Sequence, residues 1–381
     1  MGSMEYIYYN NTVYHQSGKS YYKFDILNQT KALKIEKEEK RDLVKFIESR
    51  NQDIFKSNRL NKIGRLNPAL KRIEGIENIL NAMEMIIPEK LRGNFYRNLE
   101  TVKIYFIEYY SEDERNVQGT YRSSDNSILI YTPEYLKGCE SDYKTIIITT
   151  LVHELYHLSS SKYDKENRIQ KSGVEYCNYF QEKDVTEHDE KLESKPINTP
   201  LNEGITTFFE QATLALLGEK SIGISYWVNL AITMQLFILI DKTAIEKSYF
   251  KGLGTFLIQK DLNKIINDPC KAEYLMYILN DVSIKDYCAN NYYPVLKAEN
   301  ILIDYFEATI NNLINNHQIE EAFGTYLALI EHYRIIFNDK EFKIAKVIND
   351  NFKNIEITNR NKLDSIKKQF ANINIPRRTR Q

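Results

Sequence analysis

Apolar residues recur at helical spacing along most of the chain, and the broadest stripe lies within residues 142–160. Ile146, Ile147, Ile148, Leu151, Val152, Leu155 and Leu158 form a wide apolar face there, which predicts a helix packed into a core. A second helix is expected to open at Thr199 and Pro200, a capping residue followed by Pro at the first helical position. It should run to Leu217 and stop at Gly218. From residue 219 onward the pattern predicts successive helices, broken near 252–254, 268–269 and 290–294. Residues 31–100 also read as helical, with Leu43, Phe46, Ile47 and Ile54 at helical spacing and breaks at Pro68 and Pro88.

Between these helical regions the period changes. Residues 102–110 are β-branched and aromatic enough for a strand. Residues 119–122 and 127–131 flank Ser123, Ser124, Asp125 and Asn126, which predicts a hairpin. Tyr and Phe runs in residues 4–30 suggest a small hairpin or a coil strapped onto the body. Residues 161–198 are polar and weakly patterned, and are expected to form a long loop, partly ordered as a lid or binding segment. The fold class that follows is α+β and predominantly helical. Three regions are expected: a Tyr-rich and helical unit over 1–100, a mixed core over 101–218 and a helical domain over 219–381.

Composition narrows the function classes. The 381 residues carry 51 basic and 52 acidic side chains, a net charge of −1, which is not the footprint of a nucleic-acid binder. Residues 31–72 hold 13 Lys or Arg against six Asp or Glu, which reads as a solvated helical face. Cys139, Cys177, Cys270 and Cys288 are scattered without a C-x-x-C pair, which argues against a disulfide framework or a Cys-rich zinc site. Met1, Gly2, Ser3 and Met4 read as a cloning scar, no secretory signal pattern follows, and a cytoplasmic location is expected. Abundant Tyr, Asn, Ile and Lys with few Gly suggest an AT-rich, bacterial coding sequence. The apolar run at 222–240 is interrupted by Ser225, Asn229, Thr233 and Gln235, so it is read as a buried helix and no membrane contact is expected. Phosphate-binding glycine loops and a G-x-S-x-G elbow are both missing from the sequence.

The chemistry concentrates in one motif. His153, Glu154 and His157 form H-E-x-x-H inside the predicted 142–160 helix. Residues four apart stack on one helix face, so both imidazoles can offer a nitrogen to one metal ion. Glu154, turned about 100° from His153, is placed to act as a general base on metal-bound water rather than as a ligand. Imidazole ligands suit Zn²⁺, and a catalytic zinc site needs a third protein ligand. His188 sits among acidic residues and is one candidate; His15, His317 and His332 carry no comparable context. Glu203 is the stronger one, because it lies at the start of an otherwise apolar helix where an unpaired inward carboxylate would be costly.

The H-E-x-x-H helix followed by Asn202, Glu203 and Gly204 at a helix start resembles the gluzincins, zinc metallopeptidases whose third ligand is a glutamate on the next helix. The likeness covers about 103–217. It implies a zincin-like core with a small antiparallel or mixed sheet, Zn²⁺ on His153, His157 and Glu203, and hydrolysis of a peptide or protein substrate with Glu154 as base. It also implies that the 119–131 hairpin lies above the active helix and pairs with an extended peptide. The interval between His157 and Glu203 is longer than in the thermolysin-like and alanyl-aminopeptidase-like groups, so no subfamily follows. Thr207 stands where thermolysin-like enzymes carry an acidic residue supporting a ligand; Glu210, seven residues after Glu203 on the same face, is the alternative. Tyr226 is the expected oxyanion donor by the same analogy, with Tyr176, Tyr179 and His188 as alternatives. The missing acid and the open choice of donor leave a second reading, a catalytically inactive zincin-like binding or regulatory protein.

Overall fold

The computed structural model describes residues 5–9, 12–17, 20–23, 33–34, 40–42, 70, 73, 75–108, 118–132, 140–164, 169–180, 193–219, 226–282, 293–336 and 350–371. Leu43, Phe46, Ile47 and Ile54, expected on helices, lie outside them, as do Cys139, Cys288 and His188. The described residues are mostly helical with three small sheets, and none of their helices is long and apolar enough to cross a membrane.

The N-terminal strands β1 (Glu5–Tyr9), β2 (Thr12–Ser17), β3 (Ser20–Lys23) and β4 (Leu33–Lys34) form an antiparallel meander. Helices α1 (Ile76–Ile86) and α2 (Gly93–Leu99) follow. A mixed sheet comes next, in the order β5 (Lys103–Glu108), β7 (Ser127–Thr132), β6 (Gly119–Arg122). β5 runs parallel to β7, while β6 pairs with it as an antiparallel hairpin whose turn places Asn126 at φ 51°. A short polar side chain tolerates that left-handed conformation.

Helix α3 (Glu140–Ser160) packs on β6 and β7 with one side and on α4 (Thr199–Leu217) with another. Leu151, Val152, Leu155, Tyr156 and Leu158 are fully buried, as the apolar stripe requires. The end of α3 is held by Asn98, whose Nδ2 donates to Leu158 O at 2.8 Å and Ser161 O at 3.0 Å. The carbonyl of Asn98 in turn accepts from Asn126 Nδ2 at 2.7 Å.

Residues 161–198 depart from expectation. Much of this stretch is an antiparallel sheet in the order β11 (Glu193–Ile197), β10 (Glu175–Phe180), β9 (Ile169–Ser172), β8 (Ser161–Asp164). Polar and charged residues are spread through these short strands without a regular apolar alternation, so the pattern that signals a half-buried strand is absent although the strands pair in register. Thr199 is also not a cap: it is the first helical residue, preceded by Asn198 at φ 67° with no side-chain cap bond. Asn198 is fixed instead by its partners. Its N–H donates to Asn280 Oδ1, and its Nδ2 donates to Val174 O at 3.3 Å.

Beyond α4 come α5 (Trp227–Leu239), α6 (Lys242–Phe250), α7 (Phe256–Ile265), α8 (Pro269–Leu279), α9 (Tyr293–Asn315), α10 (Ile319–Ile336) and α11 (Asp350–Ala371). Of the expected buried run at 222–240, residues 222–225 lie outside the described residues and Trp227–Leu239 forms α5, in which Thr233 and Gln235 are fully buried. One continuous cluster of buried side chains runs from Leu70 through Leu155 and Phe209 to Phe370, across positions 100 and 218.

Within that core Glu299 of α9 is fully buried, and its Oε1 accepts from Gln235 Nε2 at 2.6 Å. Its Oε2 has no hydrogen-bond partner among the described residues, and burial pushes its pKa up to about 8. Between the ordinary carboxylate range and that value the unfolded chain is ionised while the folded chain keeps its proton, so stability falls as pH rises. The expected slope is at most about 1.4 kcal/mol per pH unit, flattening above the folded pKa. Urea midpoints at pH 5.5 and pH 8 should therefore converge in Glu299→Gln relative to the parent. Equal pH dependence in both proteins would contradict this.

Candidate metal centre

α3 presents His153 and His157 one turn apart toward the first two turns of α4, which carry Glu203. The donor atoms form a small triangle. His153 Nε2 lies 3.0 Å from Glu203 Oε2 and 3.1 Å from His157 Nε2, and His157 Nε2 lies 3.4 Å from Glu203 Oε1. These three residues form a group able to hold a metal ion, with side-chain exposures of only 12%, 12% and 14%. Tetrahedral zinc with arms of 2.0–2.1 Å separates its ligand atoms by about 3.3 Å, close to the observed triangle.

The tautomer at His153 strengthens the fit. Glu210, two turns along α4 from Glu203, places Oε2 2.8 Å from His153 Nδ1. With the proton on Nδ1 donated to Glu210, the Nε2 lone pair turns toward Glu203 and His157. Lone pairs facing one another at about 3 Å need a proton or a cation between them. Without a metal a proton takes that place: burial opposes charge on His153, but hydrogen bonds and charge from Glu203 and Glu210 outweigh it and hold the imidazole well above its ordinary pKa. Burial likewise opposes charge on Glu203, yet His157 and His153 hold its carboxyl far below the usual carboxylate range.

Asn202 braces the second histidine differently. Its Oδ1 accepts from Val174 N–H at 3.1 Å, and its Nδ2 lies 3.4 Å from His157 Nδ1. Gly204 completes the triplet for a steric reason. A Cβ there would come within 2.3 Å of Thr233 Oγ1 and 2.5 Å of Asn229 O, so α5 could not approach α4 this closely with a larger residue.

Glu154 leaves α3 toward the sheet, is 5% exposed and stands outside the donor triangle. Burial raises its pKa, partly offset by His157, His153 and the backbone N–H of Tyr121. That N–H belongs to β6, the edge strand of the mixed sheet, which has no second neighbour among the described residues. Gly119 of the same strand lies so close that an added Cβ would meet Thr150 Cγ2 at 2.5 Å and Glu154 Oε1 at 2.9 Å. Gly119→Ala should therefore displace the Glu154 carboxylate while leaving the donor triangle, and with it metal uptake, unchanged. A crystal structure of the variant together with its bound metal would check this, and an unmoved carboxylate would refute it.

Tyr226, the residue before α5, stacks on His153 with ring centroids 5.7 Å apart and planes 18° apart. The charge of Glu203, followed by burial and by Glu154, Glu210 and Glu175, keeps its phenol protonated to well above the ordinary tyrosine range. It is therefore a hydrogen-bond donor at any working pH. Thr207 does not support a ligand: its buried hydroxyl has no hydrogen-bond partner among the described residues, and Glu210 occupies the bonding position on His153. Tyr176 is half-buried on β10 with Lys171 Nζ 5.9 Å from its ring centre, Tyr179 is described only as part of that strand, and His188 lies outside the described residues. Glu175 at the start of β10 joins the neighbourhood unannounced, since the stretch around it has no periodic signal. No known protein family, characterised protein or solved structure matches the chain.

Proposed function

We propose that the chain is a zinc-dependent peptidase with a gluzincin-like site, in which α3, α4 and the β5–β7–β6 sheet form a zincin-like core. The observation that carries this reading is the close triangle of His153 Nε2, His157 Nε2 and a Glu203 oxygen, beside an independent buried carboxylate, Glu154. Zinc bound there acts as a Lewis acid that polarises a carbonyl and makes water acidic near neutral pH.

The remaining roles fall to the chain. Glu210 holds the Nδ1 proton of His153 and so keeps its Nε2 free for the ion. Glu154 takes the proton of the attacking water on its carboxylate and passes it to the leaving amine nitrogen; burial raises its pKa toward that task. Tyr226 donates its hydroxyl proton in a hydrogen bond to the carbonyl oxygen as charge builds there. The free edge of β6 runs beside Glu154 and offers backbone groups to an extended peptide. The contact of Glu210 with His153 and the stacking of Tyr226 on the same ring favour an enzyme over an inactive binding protein, because they supply the support and the donor that the inactive reading lacks.

Metal analysis and a peptide-library digest test the reading together. About one zinc per chain with cleavage of library peptides is expected; stoichiometric zinc without any cleavage would select the binding-protein reading, and no zinc would end both.

A further inference from the structure

A surface cavity of about 580 Å³ opens between α8 and α9, and none of its lining residues belongs to the metal centre. Lys271, Tyr274 and Ile278 recur at three- and four-residue steps along α8, and Lys297, Ile301 and Asp304 do so along α9. Each helix therefore turns one face to the same space. Its size is that of a small-molecule site, about 300 to 1,000 Å³.

Charge around this cavity is unevenly matched. Asp304 accepts from two lysines, Lys271 Nζ at 2.7 Å and Lys362 Nζ at 2.6 Å, the second reaching across from α11. Lys362 also donates to the side chain and the carbonyl of Asn300, which fixes its ammonium at the cavity edge. The other carboxylate, Asp268, caps α8 by accepting from Lys271 N–H at 3.1 Å. Lys297 is placed differently. Its ammonium lies 4.2 Å from the centre of the Tyr293 ring and has no carboxylate partner among the described residues. Three ammonium groups thus stand against two carboxylates, and the surplus is one positive charge at Lys297. The remaining wall is apolar: Ile278 is buried at its base, and Tyr274 is exposed with its ring stacked on Tyr277, planes 12° apart. An exposed ring beside an aliphatic base gives a flat apolar body a surface to lie on.

We propose that this cavity binds a small organic monoanion, a carboxylate carried on a planar apolar body, with the carboxylate on Lys297 and the flat body against Tyr274. A single surplus charge matches a carboxylate rather than a doubly charged phosphate ester. The ammonium and the carboxylate would form a charge-assisted hydrogen bond, so charge on the ligand should govern affinity. The proposal is independent of the peptidase reading, since it uses no residue of the metal centre.

Cys270 supplies the readout. It is an exposed free thiol lining the cavity, so an occupant should slow its alkylation by iodoacetamide, followed on the full chain by peptide mass spectrometry. Indole-3-acetate, indole-3-acetamide and tryptamine share one ring system and differ in charge. Half-protection by the acetate should need about tenfold less ligand than by the amide, with tryptamine weakest. In Lys297→Met the acetate's advantage should shrink to less than about twofold with protection by the amide unchanged, and Lys297→Arg should keep it. Tyr274→Ala should weaken acetate and amide alike. N-acetyl-tryptophan separates two sources of such a carboxylate: stronger protection than by indole-3-acetate assigns a peptide carboxy terminus, and weaker protection assigns a free small molecule. Lack of protection by the acetate, equal protection by all three indoles, or an advantage that survives in Lys297→Met overturns the proposal.

Discussion

Glu154→Gln should leave the zinc content intact and reduce peptide hydrolysis by about a hundred- to ten-thousandfold, the range attributed to a positioned general base. The substitution keeps the side chain's volume in a site where only 5% of it is exposed, and Gly119 and Thr150 leave little room for rearrangement. Its amide cannot accept the proton that a carboxylate accepts. Zinc is retained because Glu154 is outside the donor triangle, whose members come from one turn of α3 and the beginning of α4. The decisive measurement pairs kcat with metal content on the same sample. Turnover within tenfold of the parent would remove Glu154 from the mechanism.

The second large effect falls on metal affinity. Glu203→Ala deletes one of three donors and should lower zinc affinity by more than the ten- to hundredfold that loss of a supporting residue costs. Glu210→Gln, which leaves all three donors in place and weakens only the support of His153 Nδ1, should fall within that smaller range. The order of the two variants matters as much as the size. A competition titration against a chromophoric chelator ranks them, and parent-like affinity in Glu203→Ala would show that the carboxylate is not a ligand.

Much of this site is legible in the amino-acid sequence, for reasons tied to particular residues. His153 and His157 stand on a helix whose apolar stripe is strong, and Pro200 and Gly218 punctuate the helix that carries Glu203. Glu210 is reached by counting two turns from Glu203. The strands of 161–197 are not legible, because Ser161–Asp164 and Ile169–Ser172 are short and polar and acquire their register from partners. Glu175 is hidden for the same reason: its position depends on a turn docked by Asn198 and Asn202, residues of the following helix start. The hairpin pattern locates Gly119 but says nothing of the face it turns to Glu154. Thr207 shows the limit of analogy, since spacing suggests a support that its hydroxyl does not provide.

Asn98 has a bearing on how this protein can be dissected. The side-chain amide of this one α2 residue clasps both the last turn of α3 and the first residue of β8, and the residue's backbone carbonyl is clasped in turn by the hairpin that supports Glu154. The segment from 101 to 218 is consequently no portable cassette. Excised from the preceding helices, it would surrender the latch that sets where the histidine-bearing rod ends, so expression trials and engineered chimaeras should keep Asn98 and its helix attached.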